Sequence, residues 1–413
     1  MELHPLIIFS LRQAIFIIPF LFAIYLFWRR PIKDRVMVSA FFAFLFQFGL
    51  VFSFHLMAVN LGWWSFGGDE LKLLGFPADI WIGGAILWGP VLYLAFSNVN
   101  PLVFVLVNLI VNIVGLPLMS PVISVSDGWF LGQMLVVLFI MVPGQYLARW
   151  TEKDINLPYR ATLLSFAHAT IAFLIIPSAI MKAMGGSWSD IIHFWPSPVF
   201  FVFIFLILLF FLMGLSAVQL FVVHGKGTPI PLDNTKELVC TGLYAYLRNP
   251  MQTSTASIWF IMGCMMLNIW ITLAALMAVV FVLGLVRWHH RYDMEKRFPT
   301  RWNIYRTNVP EWLPRWRPWV PDNALLVYDP KNIWHKRLLS FLSSGNGVGI
   351  DSKLVSGTNL QYKEPNENRY FTGLAAYAKA LNHTNFIMAL AASLILLLVL
   401  TINGLPNMRR DLS

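Results

Sequence analysis

The sequence predicts an all-α fold, a polytopic membrane helical bundle of about ten transmembrane helices, and three observations predict it. Of the 413 residues, 58% are hydrophobic and only 12% charged, with a mean hydropathy of +0.66; a soluble domain carries fewer apolar and more charged residues. Several runs of about twenty apolar residues match the hydrocarbon thickness of a bilayer when helical. Basic residues fall in alternate loops, which is how a membrane protein orients itself.

The predicted spans run over 5–28, 36–60, 77–99, 101–125, 129–147, 161–183, 197–223, 253–267, 268–288 and 386–403. The first has no small-residue cleavage site after it and leads into a basic loop, so it reads as a retained span. Arg12 inside it is costly against lipid and is expected to snorkel or to face the bundle. Arg29, Arg30, Lys33 and Arg35 follow span one; Arg149, Lys153 and Arg160 surround the connection after span five. Lys226, Lys236 and Arg248 follow span seven, and a dense basic stretch from Arg287 to Arg317 follows span nine. The other loops hold almost no basic residues. With ten spans every basic loop lands on one face, so the segments after spans seven and nine are expected in the cytoplasm and the N-terminus outside. Topology also accounts for the net charge of +10, and no nucleic-acid partner is expected.

The polar residues His55, Asn60, Asn98, Asn100, Asn108, Asn112 and His168 of the first half are expected to hydrogen-bond between helices. Gly83, Gly84 and Gly89 are expected to allow close helix approach. Cys240 and Cys264 form neither a disulfide framework nor a metal-ligand spacing, and no metal site is expected. Four regions follow: an N-terminal bundle of six spans over 1–195, a membrane domain with polar blocks over 196–320, a loop-rich cytoplasmic segment over 321–385, and a final span and tail over 386–413. Within the third, Gly345–Gly349 (GNGVG) lacks the strand before and helix after that a nucleotide loop needs.

The chemistry concentrates in His224–Gln252, a polar, turn-rich stretch between two apolar runs. Gly225, Gly227, Pro229 and Pro231 prevent a regular helix there. Gly242 punctuates the chain before Tyr244, Tyr246, Arg248, Asn249 and Pro250. Downstream, Phe298, Tyr305, Val309, Pro310, Trp312, Leu313, Pro314 and Arg315 make a second ordered block. The hairpin of spans eight and nine, joined near Leu267–Ile269, is expected to bring the two blocks together.

Over about residues 200–318 these blocks resemble the integral membrane methyltransferases of the isoprenylcysteine carboxyl methyltransferase and phospholipid methyltransferase superfamily. Those proteins carry a GGGTPxP-like lead-in, an LVxxGxYxxxRHPM or RNPM core and an FGxxYxxYxxxVPxWLPR segment. The resemblance implies an S-adenosylmethionine-dependent methyltransferase with a cytoplasmic cofactor pocket formed around the C-terminal helical hairpin. It implies cofactor contacts at Lys236, Glu237, Leu238, Val239, Tyr244, Asn249, Pro250, Met251 and Gln252. Arg248 would pair the cofactor carboxylate, and Tyr244 would present its ring to adenine or the sulfonium. The acceptor would be lipophilic or lipid-linked, reached from the surrounding membrane lipids, with Arg287 on the substrate side. His289 and His290 are candidate bases, since imidazole titrates in range.

Two departures bear on this reading. Gln252 stands where the family has Tyr, and His290 and Arg291 stand where it has paired glutamates. Asp293 and Glu295, one helical turn on, are the expected substitutes. Two other readings stay open: an NADPH-dependent membrane enzyme similar to the sterol reductases, and a non-catalytic scaffold or transport protein that retains the fold.

Overall fold

The computed structural model describes residues 5–29, 33–68, 71–120, 122–230, 232–233, 235–289, 293–365 and 370–402. The chain forms two compact units, Met1–Trp188 and Ser189–Ser413. Among the described residues, seven helices are long and apolar enough to cross a membrane, as expected for an integral membrane protein.

Six of these belong to the first unit: α1 (Pro5–Arg29), α2 (Asp34–Asn60), α3 (Ala78–Ala95), α4 (Pro101–Leu118), α5 (Trp129–Lys153) and α6 (Leu157–Met184). Helix α2 packs against α3, α5 and α6 and buries Phe42, Phe46 and Phe52. Arg12 on α1 faces the bundle: it is fully buried and donates to both carboxylate oxygens of Asp79 on α3, at 2.6 and 3.0 Å, and to Gly67 O at 3.1 Å. Pairing offsets the cost of an arginine at membrane depth. Gly83 lets α1 and α3 touch, since a Cβ there would lie 2.4 Å from Ile15 O; Gly89 similarly faces the Ala43–Phe44 backbone at 3.0 Å. Gly84 differs from expectation, for a Cβ there meets nothing within 4 Å. The asparagines of α4 also act locally: Asn100 caps the helix by accepting from Leu102 N at 2.9 Å, and Asn112 donates to Asn108 at 3.2 Å. Strand β1 (Trp64–Phe66) pairs antiparallel with the later Ile123–Val125, and between them β2 (Lys72–Leu73) pairs with β3 (Phe76–Pro77). The Ile123–Val125 strand is β4.

The second unit begins with the seventh long helix, α7 (Pro198–Gly225). A hairpin follows, of α8 (Pro250–Met265) and α9 (Ile269–Phe281). Asn268 starts α9 by accepting from Trp270 N and Ile271 N at 3.0 and 3.2 Å. A Cβ on Gly263 would lie 2.3 Å from Thr272 N, so the two helices press backbone to backbone. Helix α8 has 16 residues, about 24 Å at 1.5 Å per residue, and carries Gln252, Thr253, Ser254, Thr255 and Ser257 at its start.

The segment expected to be loop-rich is instead an ordered α/β layer. After α10 (Pro299–Asn308), strands β5 (Ala324–Tyr328), β6 (Ile350–Leu354), β7 (Gln361–Lys363) and β8 (Tyr370–Thr372) form a sheet in the order β6-β5-β7-β8. Strands β5 and β6 are parallel, joined through α11 (Ile333–Phe341); the other pairs are antiparallel. Leu326, Tyr362 and Phe371 pack with Ala376 and Ala378 of α12 (Gly373–Leu381) and with Ala392 and Leu396 of α13 (Phe386–Ile402). Ala324, Leu326 and Val327 are buried and Leu325 and Tyr328 only partly exposed, as suits an inner strand covered on both faces. GNGVG is a helix-to-strand turn: Gly347 N donates to Leu342 O at 2.9 Å, and Gly349 takes a φ of +63° just before β6.

Candidate functional site

Helix α7 delivers His224 and Gly225 at its C-terminal end, and the chain then folds back on them. The amides of Lys236 and Glu237 donate to Gly225 O at 2.6 and 3.2 Å. Gly242 turns the chain at a φ of +60°, with Leu220 Cδ1 only 2.9 Å from where a Cβ would lie; both facts require glycine. The turn Gly242–Ala245 then buries Tyr244, which stacks on Phe221 at 5.1 Å between ring centroids.

The second block is bonded to this turn along its length. Tyr305 Oη donates to Tyr244 O at 2.9 Å, and Arg248 N to Pro310 O at 2.9 Å. Arg315 N donates to Tyr246 O at 3.1 Å, and Trp319 N to Ala245 O at 2.9 Å. Tyr246 Oη continues the chain of contacts to Asn382 O at 2.9 Å, at the end of α12. Burial, opposed for Tyr246 by nearby Arg315, pushes the Tyr244, Tyr246 and Tyr305 hydroxyls above their ordinary range. All three are therefore neutral hydrogen-bonding groups rather than bases. Burial likewise pushes the Cys240 thiol up to about 12 against a smaller opposing pull from Arg301, so Cys240 is not a thiolate nucleophile.

At the start of α8, three buried donors have no hydrogen-bond partner among the described residues: Arg248 Nε, Asn249 Nδ2 and Thr253 Oγ1. Such groups cost about 1–3 kcal/mol each when left unmade, so three of them within six residues at one helix end mark a place suited to an acceptor-rich ligand.

A cavity of ≈ 200 Å³ opens on the other side of the first block. Glu237, Leu238, Val239 and Thr241 line it from that block, Arg301 from the second, and Trp319 and Asp322 from the chain just after it. The α/β layer contributes Tyr362, Glu364, Lys379, Asn382 and His383, and α7 contributes His224.

Three of these groups form a closed, buried triangle. Lys379 Nζ lies 2.5 Å from Glu364 Oε1 and 2.9 Å from His224 Nε2, and His224 Nδ1 lies 3.3 Å from Glu364 Oε2. An ammonium only donates, so His224 Nε2 accepts and its proton sits on Nδ1, facing the carboxylate. The third face of Lys379 rests over the Phe371 ring, 4.6 Å from its centroid. Beside the triangle, His383 Nδ1 lies 2.8 Å from Val348 O and its Nε2 lies 2.8 Å from Tyr362 Oη. A carbonyl only accepts, so Nδ1 is the protonated nitrogen and Tyr362 donates to Nε2. Burial holds the His383 imidazole below its ordinary range, partly countered by Val348 O and Glu364, and burial with Glu364 raises the Tyr362 hydroxyl.

The residues expected from the sequence fall into separate groups. Glu237, Leu238 and Val239 face the cavity; Lys236 is exposed beside it, and Glu237 also pairs with Lys226. Asn249, Pro250, Met251 and Gln252 open α8 next to Arg248, and neither they nor Tyr244 line the cavity. Arg287 pairs with Glu311 at 2.7 Å, Glu295 with Arg306 at 2.6 Å, and Asp293 with Arg297, so the two acids expected as substitutes are engaged in outward ion pairs. His290, Arg291 and the His289 side chain lie outside the described residues.

Sequence reading missed His224, Tyr362, Glu364, Lys379, Asn382 and His383. The signal for most of them is Ala324–Tyr328 (ALLVY), a short apolar run bounded by Asp and Asn on one side and Asp-Pro on the other, which is the mark of a buried strand. No family model matches the chain, and no curated protein or solved structure matches it either.

Proposed function

We propose that the chain is an integral membrane S-adenosylmethionine-dependent methyltransferase acting on a lipophilic or membrane-delivered acceptor. The observation that carries this reading is the junction of the two blocks, where buried donors of Arg248, Asn249 and Thr253 lie close in sequence without partners among the described residues. A guanidinium and an amide at a helix N-terminus suit the carboxylate of an amino acid. The cofactor would supply an electrophilic methyl group for in-line displacement, a reaction that asks the protein for orientation and a dry site. In this reading Arg248 and Asn249 hold the amino-acid end, while Arg287 with Glu311 stands on the acceptor side. The apolar helices give a lipophilic acceptor its route, and the basic loops put both blocks on the cytoplasmic face.

The test is calorimetric titration of the detergent-purified protein with S-adenosylmethionine, with NADPH in parallel. Saturable S-adenosylmethionine binding that falls at least about tenfold in Arg248→Ala supports the reading, a loss of about 1.4 kcal/mol or more. NADPH binding alone would transfer the site to a reductase. Binding of neither by a folded protein would leave a scaffold.

A further inference from the structure

We infer that the cavity between the first block and the α/β layer is a binding site for a purine carrying an exocyclic amino group, with Asn382 as the residue that reads it. This deepens the proposed function and rests on it, since it seats the nucleoside end of the cofactor on Asn382, outside both sequence blocks, beside Thr241 of the first.

Several polar groups lining the cavity are already satisfied. Lys379, Glu364 and His224 neutralise and bond one another, and Tyr362 and His383 bond each other. That triangle therefore asks for no counter-ion, and Glu237 pairs with Lys226; Arg301 and Asp322 are the other charged groups of the lining. Among the neutral groups one stands out. Asn382 is 6% exposed, and its side-chain Oδ1 is buried with no partner among the described residues. Its backbone is fully used: the amide donates to Ala378 O at 3.2 Å and the carbonyl accepts from Tyr246 at 2.9 Å. The side chain is thus held in place by a structural backbone while its acceptor stays unused. Thr241 Oγ1, also lining the cavity, is buried and unpartnered in the same sense.

A buried amide oxygen wants an N–H donor, and a carboxamide pairs in two places with an aminopurine edge, which offers an amino donor beside a ring-nitrogen acceptor. The Trp319 indole, braced by Tyr305 at 5.7 Å between ring centroids, provides a flat apolar wall. Size agrees. At ≈ 200 Å³ the cavity is smaller than the roughly 300–1,000 Å³ that encloses a whole drug-sized ligand, so it takes one end of a cofactor, such as a base.

The test measures binding of S-adenosylhomocysteine, adenosine and inosine to the full-length wild type and to Asn382→Leu in detergent. Inosine lacks the exocyclic amine. Wild type is expected to bind adenosine at least about tenfold more tightly than inosine, and Asn382→Leu to lose that preference together with about tenfold of S-adenosylhomocysteine affinity. Equal binding of adenosine and inosine by wild type overturns the assignment without any variant, so misfolding of Asn382→Leu leaves the idea exposed to refutation. Tight S-adenosylhomocysteine binding that Asn382→Leu leaves unchanged overturns the purine site while the methyltransferase reading stands. Selective adenosine binding with no S-adenosylhomocysteine binding supports the purine site and removes the methyltransferase.

Discussion

Glu364→Gln is expected to be among the most destabilising isosteric changes in the second unit. It keeps the shape of the side chain but leaves the Lys379 ammonium, 3% exposed, with no anion beside it. Removing one partner of a buried pair costs about 3–5 kcal/mol, because the surviving charge is desolvated and unpaired. In a unit of this size about 2–4 °C of melting temperature is lost per kcal/mol, so a fall of roughly 6–20 °C follows. Lys379→Met should cost a similar amount, since Glu364 then loses the ammonium that neutralises it. The double variant Glu364→Leu with Lys379→Met should recover most of the loss. His224 then loses its contacts with these two side chains, which leaves a residual cost of about 1–3 kcal/mol. Both cysteines, Cys240 and Cys264, lie in this unit, so the rate of thiol labelling during heating reports its unfolding rather than that of the first unit. Single variants that melt within 1–2 °C of wild type, or a double variant whose loss equals the sum of the two, would refute the triangle as a coupled buried unit.

Acidification should weaken the same unit through His383. Its imidazole is neutral in the fold and held below the ordinary range by burial, so below about pH 6.5 the unfolded chain binds a proton that the folded one refuses. Stability is then present above pH 6.5 and is lost as pH falls towards the folded value, by at most about 1.4 kcal/mol per pH unit. Thiol-labelling melts at pH 7.5 and 5.5 check this, and an equal acid loss in His383→Gln would refute it. Gly263→Ala should splay the α8–α9 hairpin, as its Cβ would lie 2.3 Å from Thr272 N, and overpacking costs about 1–3 kcal/mol; unchanged melting would show that the helices separate freely. In the first unit, Arg12→Leu leaves Asp79 without its bidentate partner and should cost about 3–5 kcal/mol, with Arg12→Leu/Asp79→Leu recovering part of it. Detergent-resistant yield and melting of the first unit are the readouts, and a single variant as stable as wild type counts against the pair.

The helices were legible because bilayer burial writes itself into twenty-residue apolar runs that need no knowledge of the partner. Arg12 was legible as a bundle-facing residue for the same reason, although its partner Asp79, 67 residues away, was not. The hairpin was readable from Asn268 between two apolar runs, and it follows that blocks at its two ends meet. The α/β layer was not readable. Strands β7 and β8 have three residues each, too few for alternation to stand out, and their hydrophobic faces are defined by α12 and α13 rather than by neighbours in sequence. Glycines and serines that suggested loop are in fact the turns between α11 and β6.

That omission hid one wall of the site, and the reason is physical. A buried charge is recognised by its partners, and those of Lys379 sit 15 residues away in Glu364 and 155 away in His224. Read alone, each looks like a surface residue of a polar segment. Only His224 lay inside the stretch that the sequence marks, as the last side chain that α7 delivers before the chain turns. Its position explains why an α/β layer accompanies these blocks at all. A histidine fixed by Glu364 and Lys379 ties the end of α7 to β7 and α12, and Tyr246 ties the first block to Asn382. The layer therefore lines the cavity together with the first block, and contributes Glu364 to it.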